Sequence, residues 1–299
     1  MIALLATIPS PSRNVIEIGP FTVHFYGIMI ALGVIAAVIV TKRRYVRFGG
    51  SGELVERVAI WAVVVGFLGA RLGYVITHTG DFLWDRPWGI LYIWEGGLAL
   101  YGGLIAGALA AIYLLNRWHG DVFAFGDSAA VGIPLAQAIG RIGNYFNQEL
   151  YGKPTDLPWG LEIDPENRLP GWEQFETFQP TFLYEALGNL LIVIPTILIL
   201  ERKGKLFKGA AFPLYVMLYG TLRFVMELLR TDTTFRFLGM SRNGWISLGA
   251  VIGATVVFIW MQRRRQPQGV DPEPRADAGE PDDDAPDTDE AEEAELRDE

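Results

Sequence analysis

The sequence contains no cysteine. Disulfides, thiolate metal sites and a cysteine nucleophile belonging to the protein itself are therefore excluded. Histidine is nearly as scarce, with three residues, His24, His78 and His119. An intramembrane serine protease needs a Ser–His pair in neighbouring spans. Only His24 is placed for that, and Ser128 and Ser247 stand in no nucleophile motif. His78 and His119 fall near loop ends and read as surface residues. The apolar residues 1–8 have no basic region before them and no small-residue cleavage site, so no removable signal peptide is expected. No half of the chain repeats the other, as halves of many transporters do. Neither a metal nor a cofactor is expected, and nothing reads as a nucleic-acid interface.

What the chain does have is apolar length. It is 51% hydrophobic, its mean hydropathy is +0.25, and it holds 34 glycines among 299 residues. That is too apolar for an ordinary soluble domain, and Gly-rich apolar runs suit packed membrane helices. Seven runs stand out, at about residues 21–41, 56–77, 98–116, 122–145, 181–200, 210–229 and 244–262, each near the roughly 20 residues a span requires. The expected fold is an all-α polytopic membrane protein of about seven transmembrane helices.

Basic clusters follow alternate runs: Lys42, Arg43, Arg44 and Arg47; Arg117; Arg202, Lys203, Lys205 and Lys208; Arg263, Arg264 and Arg265. The opposite loops carry only scattered Arg86, Lys153, Arg168, Arg236 and Arg242. The positive-inside rule then places the N-terminus outside and the C-terminus in the cytoplasm. Residues 151–180, rich in Pro, Gly and Trp, read as a small external head between spans four and five. The domains expected are a seven-span body over 1–265, including that head, and an acidic tail over 266–299. Residues 271–299 hold 15 of the 34 acidic residues and two of the 25 basic ones, leaving the body 23 basic and 19 acidic. With no aromatic and many prolines, the tail is expected to be disordered, cytoplasmic and dispensable.

Ionisable residues at membrane depth are costly and usually face a cavity or a partner. Arg71, Arg141 and Arg223 fall within runs, each toward the outer end. Singly, each reads equally well as a snorkelling anchor; together, with polar company, they suggest a site. Run four ends Gly140-Arg141-Ile142-Gly143-Asn144-Tyr145-Phe146-Asn147-Gln148-Glu149. If helical, Arg141 and Asn144 share a face with Gln148. The bland reading is a helix end capped by Asn and Gly, which leaves the arginine unexplained. Tyr219, Arg223, Glu227 and Arg230 form one stripe on run six. There Arg223 and Glu227 make at least a structural ion pair, and two arginines about one glutamate leave positive charge for an anionic ligand. Glu185, opening run five, is a capping or bracing carboxylate. His24, Tyr26 and Gly27 open run one. Glu95-Gly96-Gly97 and Tyr101-Gly102-Gly103 enter run three, where Gly103 and Gly107 form a small-xxx-small pair that reads as helix packing.

The block 140–152, of form G-R-[IL]-G-N-x-x-N-x-E-x-x-G, resembles the signature of the phosphatidylglycerol–prolipoprotein diacylglyceryl transferase family. The likeness continues through His24-Phe25-Tyr26-Gly27, Gly69-Ala70-Arg71-Leu72-Gly73-Tyr74, Gly96-Gly97 with Gly102-Gly103, Pro180 with Tyr184-Glu185, and Tyr219-Gly220 with Arg223, Phe224 and Glu227. It covers about residues 14–262 in one order. The resemblance implies a seven-span, N-out enzyme of the bacterial inner membrane. Its substrates would be phosphatidylglycerol and preprolipoprotein signal peptides. It would move the diacylglyceryl group onto the lipobox cysteine and release glycerol 1-phosphate. Carried over, Arg141 and Arg223 are the essential arginines, with Arg141 on the lipid headgroup and Arg71 taken beside them as a headgroup ligand. Tyr26, Asn144, Glu149, Gly152 and Tyr219 occupy positions important in the family, and Glu227 braces Arg223. Many members carry a histidine where this chain has Tyr101, so a mechanism built on that base does not transfer. Residues 243–247 also depart from the common pattern.

The chemistry suits the composition. The nucleophile is the substrate's thiol, so the enzyme needs none. A free thiol titrates near pKa ~8.5 and reacts as thiolate. Two arginines would favour that thiolate and stabilise the departing phosphate. His24 and Tyr101 are the candidates for a base. The alternative is a membrane transporter or lipid-binding protein for an anionic ligand. The sequence leaves the oligomeric state open.

Overall fold

The computed structural model describes residues 7–80, 87–92, 96–230 and 236–270. Seven of its helices are long and apolar enough to cross a membrane: α1 (Phe25–Arg47), α2 (Gly52–Thr77), α3 (Leu100–Arg117), α4 (Val122–Phe146), α5 (Thr181–Arg202), α6 (Ala211–Leu229) and α7 (Arg242–Arg264). The shortest has 18 residues, which at about 1.5 Å per residue still approaches the hydrocarbon thickness. Large apolar side chains such as Ile60, Leu68, Leu104 and Leu109 point outward, the surface expected where the solvent is lipid.

Polar residues set the helix starts. The Ser51 hydroxyl accepts from Leu54 N to open α2, and the Asp121 carboxylate accepts from Phe123 N and Ala124 N to open α4, each satisfying otherwise orphaned N–H groups. Asp127 lies inside α4, yet its carboxylate accepts from Gly209 N at 2.7 Å and Ala211 N at 2.8 Å, capping the start of α6. Arg44 donates to Glu201 at 2.7 Å and to the Asp127 carbonyl at 3.1 Å. Four helices, α1, α4, α5 and α6, are thus locked together at the end that carries the basic loops.

The most extensive pairings are α1 with α4, α2 with α3, and α6 with α7; α4 also meets α5 and α6. The α2–α3 seam is built on small residues. A Cβ at Gly69 would stand 2.2 Å from Ala106 Cβ and 2.8 Å from the Gly102 carbonyl, so only hydrogen permits that approach. Gly103 and Gly107 face Gly66 and Ala62 across the same seam, the packing role expected of that pair. Helix α5 contains a π-turn over Asn189–Val193.

The remainder is a mostly helical fold's minor β content. Strands β1 (Val15–Ile18) and β2 (Phe21–His24) form a hairpin in register Val15 to His24. The first span therefore begins at Phe25 rather than near residue 21, because residues 21–24 alternate and pair instead. In the head, β3 (Leu161–Glu162) pairs with β4 (Thr177–Phe178), and Ile8 bridges to Leu161. Tyr151, Leu161, Ile163, Phe178 and Phe182 form its core. Strands β5 (Arg236–Phe237) and β6 (Met240–Ser241) precede α7.

At the C-terminal end, Gln266 O accepts from Lys208 N and Val270 N donates to Phe48 O at 2.7 Å. The segment after α7 is thus held through Val270, five residues past the expected boundary. Residues 271–299, like Arg86 and Glu95, lie outside the described residues.

Candidate functional site

The site gathers at the end of the bundle beneath the head, where α4, α5 and α6 meet. Arg141 on α4 donates from Nη2 to Glu185 Oε1 on α5 at 2.5 Å, and from Nη1 to Asn144 Oδ1 at 3.2 Å. Tyr219 on α6 donates its hydroxyl proton to the same Glu185 oxygen at 2.8 Å. Glu185 is 3% exposed, and an unpaired carboxylate there would be strongly disfavoured. It braces Arg141 across helices; it does not cap α5. Asn144 turns its amide to Glu149 at 2.8 Å, and Asn147 adds a second bond at 3.2 Å.

One helical turn along α6, Arg223 Nη2 lies 3.0 Å from Glu227 Oε2. Ser241, at the entrance to α7, donates to Glu227 Oε1 at 2.6 Å while accepting from Gly244 N. Arg223 Nη1 is buried with no hydrogen-bond partner among the described residues. A cleft alongside is lined by Lys153, Phe224, Glu227, Ser241 and Gly244.

Several expectations change at this level. Arg230 leaves the stripe: α6 stops at Leu229, and Arg230 is extended and bridges to Gly152. Among the described residues the carboxylate of Glu227 pairs with Arg223. What remains is the free Nη1 donor. Gln148 also leaves the Arg141 face. Helix α4 ends at Phe146, Gln148 takes φ +49°, and its amide pairs twice with Asp164 in the head, at 2.6 and 2.8 Å. The bonds from Gln148 and from Ser10 hold the Asp164 carboxyl below the usual range. Gly152 works through backbone. Its N–H donates to Gln179 O, and a Cβ there would stand 3.0 Å from the Leu229 carbonyl.

Arg71 is 7% exposed and spends its donors on backbone carbonyls, those of Gly89, Ile90, Gly96 and Gly97. That geometry clamps the α2–α3 connection and speaks against a headgroup contact. Tyr26 packs over Gly143, where a Cβ would come within 2.8 Å of its ring, and both Glu149 and Arg141 act on it electrostatically. Tyr101 donates to Asn243 Oδ1 at 3.2 Å, linking α3 to α7. His24 is exposed at the start of α1, with no side-chain capping bond. Among the described residues neither is hydrogen-bonded to the arginine cluster, and no three His, Asp or Glu side chains converge as a metal site.

Sequence reasoning missed Ser241, Asn243 and Asn189. Asn243 opens the divergent stretch 243–247, though no contact with Tyr101 was foreseen, and Ser241 lies just before it, where periodicity carries no warning. Asn189, fully buried in the π-turn with neither amide atom hydrogen-bonded among the described residues, looks in sequence like any polar residue in an apolar run.

Seven apolar spans enclosing paired arginines and carboxylates beneath a folded head define a polytopic membrane protein with an intramembrane polar site. A family model described as prolipoprotein diacylglyceryl transferase matches residues 13–260, and the chain belongs to that family. Among its relatives, a phosphatidylglycerol–prolipoprotein diacylglyceryl transferase of Frankia alni is 42% identical over 276 residues, covering 91% of this chain and 72% of the relative. The second such protein of Streptomyces coelicolor is 44% identical, with 85% and 81% covered. That of Cutibacterium acnes is 44% identical, with 86% and 88% covered.

Proposed function

We propose that this protein transfers the diacylglyceryl group of phosphatidylglycerol to the lipobox cysteine thiol of preprolipoproteins. The substrate thiolate attacks the glycerol carbon that bears the phosphate. A C–S bond forms, the C–O bond to phosphate breaks, and glycerol 1-phosphate leaves with the electron pair. The thiol proton goes to the departing phosphate or to solvent.

The observation that carries the assignment of roles is the unpartnered Arg223 Nη1 beside a fully braced Arg141. Glu185 and Asn144 fix the Arg141 plane, and Glu227, itself held by Ser241, fixes Arg223. Each guanidinium is pre-aimed before substrate arrives. Pre-organised donors at developing charge are usually the largest catalytic term in a water-poor site. Tyr219 and Tyr26 shape the pocket, and Asn144 and Glu149 position Arg141. Because two guanidiniums favour the thiolate directly, neither His24 nor Tyr101 has to serve as base. The basic loops support an inner-membrane protein with its N-terminus outside, its head external and its C-terminus cytoplasmic.

The test is transfer of labelled diacylglycerol from phosphatidylglycerol to a lipobox peptide by purified protein. Thioether product with stoichiometric glycerol 1-phosphate is expected. Binding of the lipid without either product would favour a lipid-binding protein instead.

A further inference from the structure

At the end of the bundle that carries the basic loops, a groove separates the α1–α2 connection from the α3–α4 connection. Arg57, Arg117 and His119 line it, with Tyr45, Trp118 and Val270. The Arg57 guanidinium stands 4.5 Å from the Trp118 ring centroid. Both arginines are exposed, and neither has a carboxylate partner among the described residues. Glu53 is the one acidic residue in the lining, whereas nearby Glu56 is already paired with Lys42 at 2.6 Å.

The chain after α7 is delivered to this place. Gln266 is bonded to Lys208, Gly269 turns at φ +136°, and Val270 N is bonded to Phe48 O on the groove's rim. The Val270 side chain packs against Tyr45, Val55 and Ala124. The segment that follows, 271–299, carries 15 acidic residues and two basic ones. Its first ten residues reach about 35 Å if extended, which is ample to cross the groove. A segment tethered at the rim has a high effective concentration there, so weak individual ion pairs suffice.

We propose that the acidic segment 271–299 docks back into this basic groove of its own chain. The contact is electrostatic, is loosened by salt because both partners are exposed, and masks arginines that would otherwise attract anionic headgroups. It lies at the opposite end from Arg141 and Arg223 and takes no part in catalysis.

The absence of cysteine allows a clean test. Full-length protein carrying Asn116→Cys and Ala285→Cys is labelled with two spin labels in a neutral detergent. Distances are then measured in 50 mM and 1 M salt. A close population should dominate at low salt, fall several-fold in 1 M salt, and fall equally with Arg57→Gln and Arg117→Gln. Replacing Asp282, Asp283 and Asp284 by Asn should lower it too, while leaving the folded body untouched. A broad distribution indifferent to salt overturns the proposal. So does a close population that survives both arginine substitutions.

Discussion

The two site arginines are asked to do more than carry charge. Each guanidinium holds a carboxylate with one nitrogen; the second is engaged by Asn144 in Arg141 and, among the described residues, has no hydrogen-bond partner in Arg223. A lysine keeps the charge but lacks the rigid planar fork that fixes two donors in one geometry. Arg141→Lys and Arg223→Lys should therefore each lower transfer roughly a hundred- to thousandfold, the range for losing a donor at developing charge, with normal insertion. If they only anchored the interface, lysine would snorkel as well and rates would barely move. Tyr101→His belongs in the same assay. Its hydroxyl is engaged with Asn243 rather than with the arginines, so the rate should change little. The arginines and Glu227 stood out because charge inside an apolar run is conspicuous, and Asn144 and Tyr219 because they share helix faces with them. The Arg223–Glu227 pair was legible from its spacing of four, but that Glu185 serves Arg141 was not, since it is 44 residues away and helical spacing says nothing across helices. Arg71 shows the converse. The same signal marked it, yet its partners are backbone carbonyls that no residue type reveals.

At the scale of elements, hydropathy located all seven helices, but their ends moved wherever local hydrogen bonding competed. The β1–β2 hairpin moved the start of the first span to Phe25, whereas α4 ends at Phe146, close to where its run ends. The α2–α3 seam depends on absent side chains. Gly69→Leu should abolish accumulation of folded protein or lower its melting temperature sharply, because Ala106 and the Gly102 backbone occupy that space; Gly249→Leu, with nothing within 4 Å, should be tolerated. The head has a pH dependence of its own. Bonds from Gln148 and Ser10 lower the Asp164 pKa in the folded state. Their contribution is therefore complete above the unfolded value, near pH ~3.9, and fades as pH falls through the lower folded value. Thermal scans should show Asp164→Asn less stable than the parent at neutral pH. The difference should shrink below about pH 3.9.

For the whole molecule, reporter fusions should place residue 160 outside, with residues 205 and 265 in the cytoplasm; a cytoplasmic head would overturn the orientation read from the basic loops. Truncation after Val270 should leave transfer intact, because the body closes on itself without the acidic segment. The order of the chain has a further consequence. Helix α7 packs chiefly on α6, and the residue that holds Glu227 in place, Ser241, sits at its threshold. During synthesis the first six helices can assemble before that serine leaves the ribosome. Until it arrives Glu227 lacks its Ser241 bond, so a chain ended before residue 241 should insert yet transfer poorly. Synthesis through Ser241 and α7, not of the acidic segment beyond them, completes the bracing of Glu227.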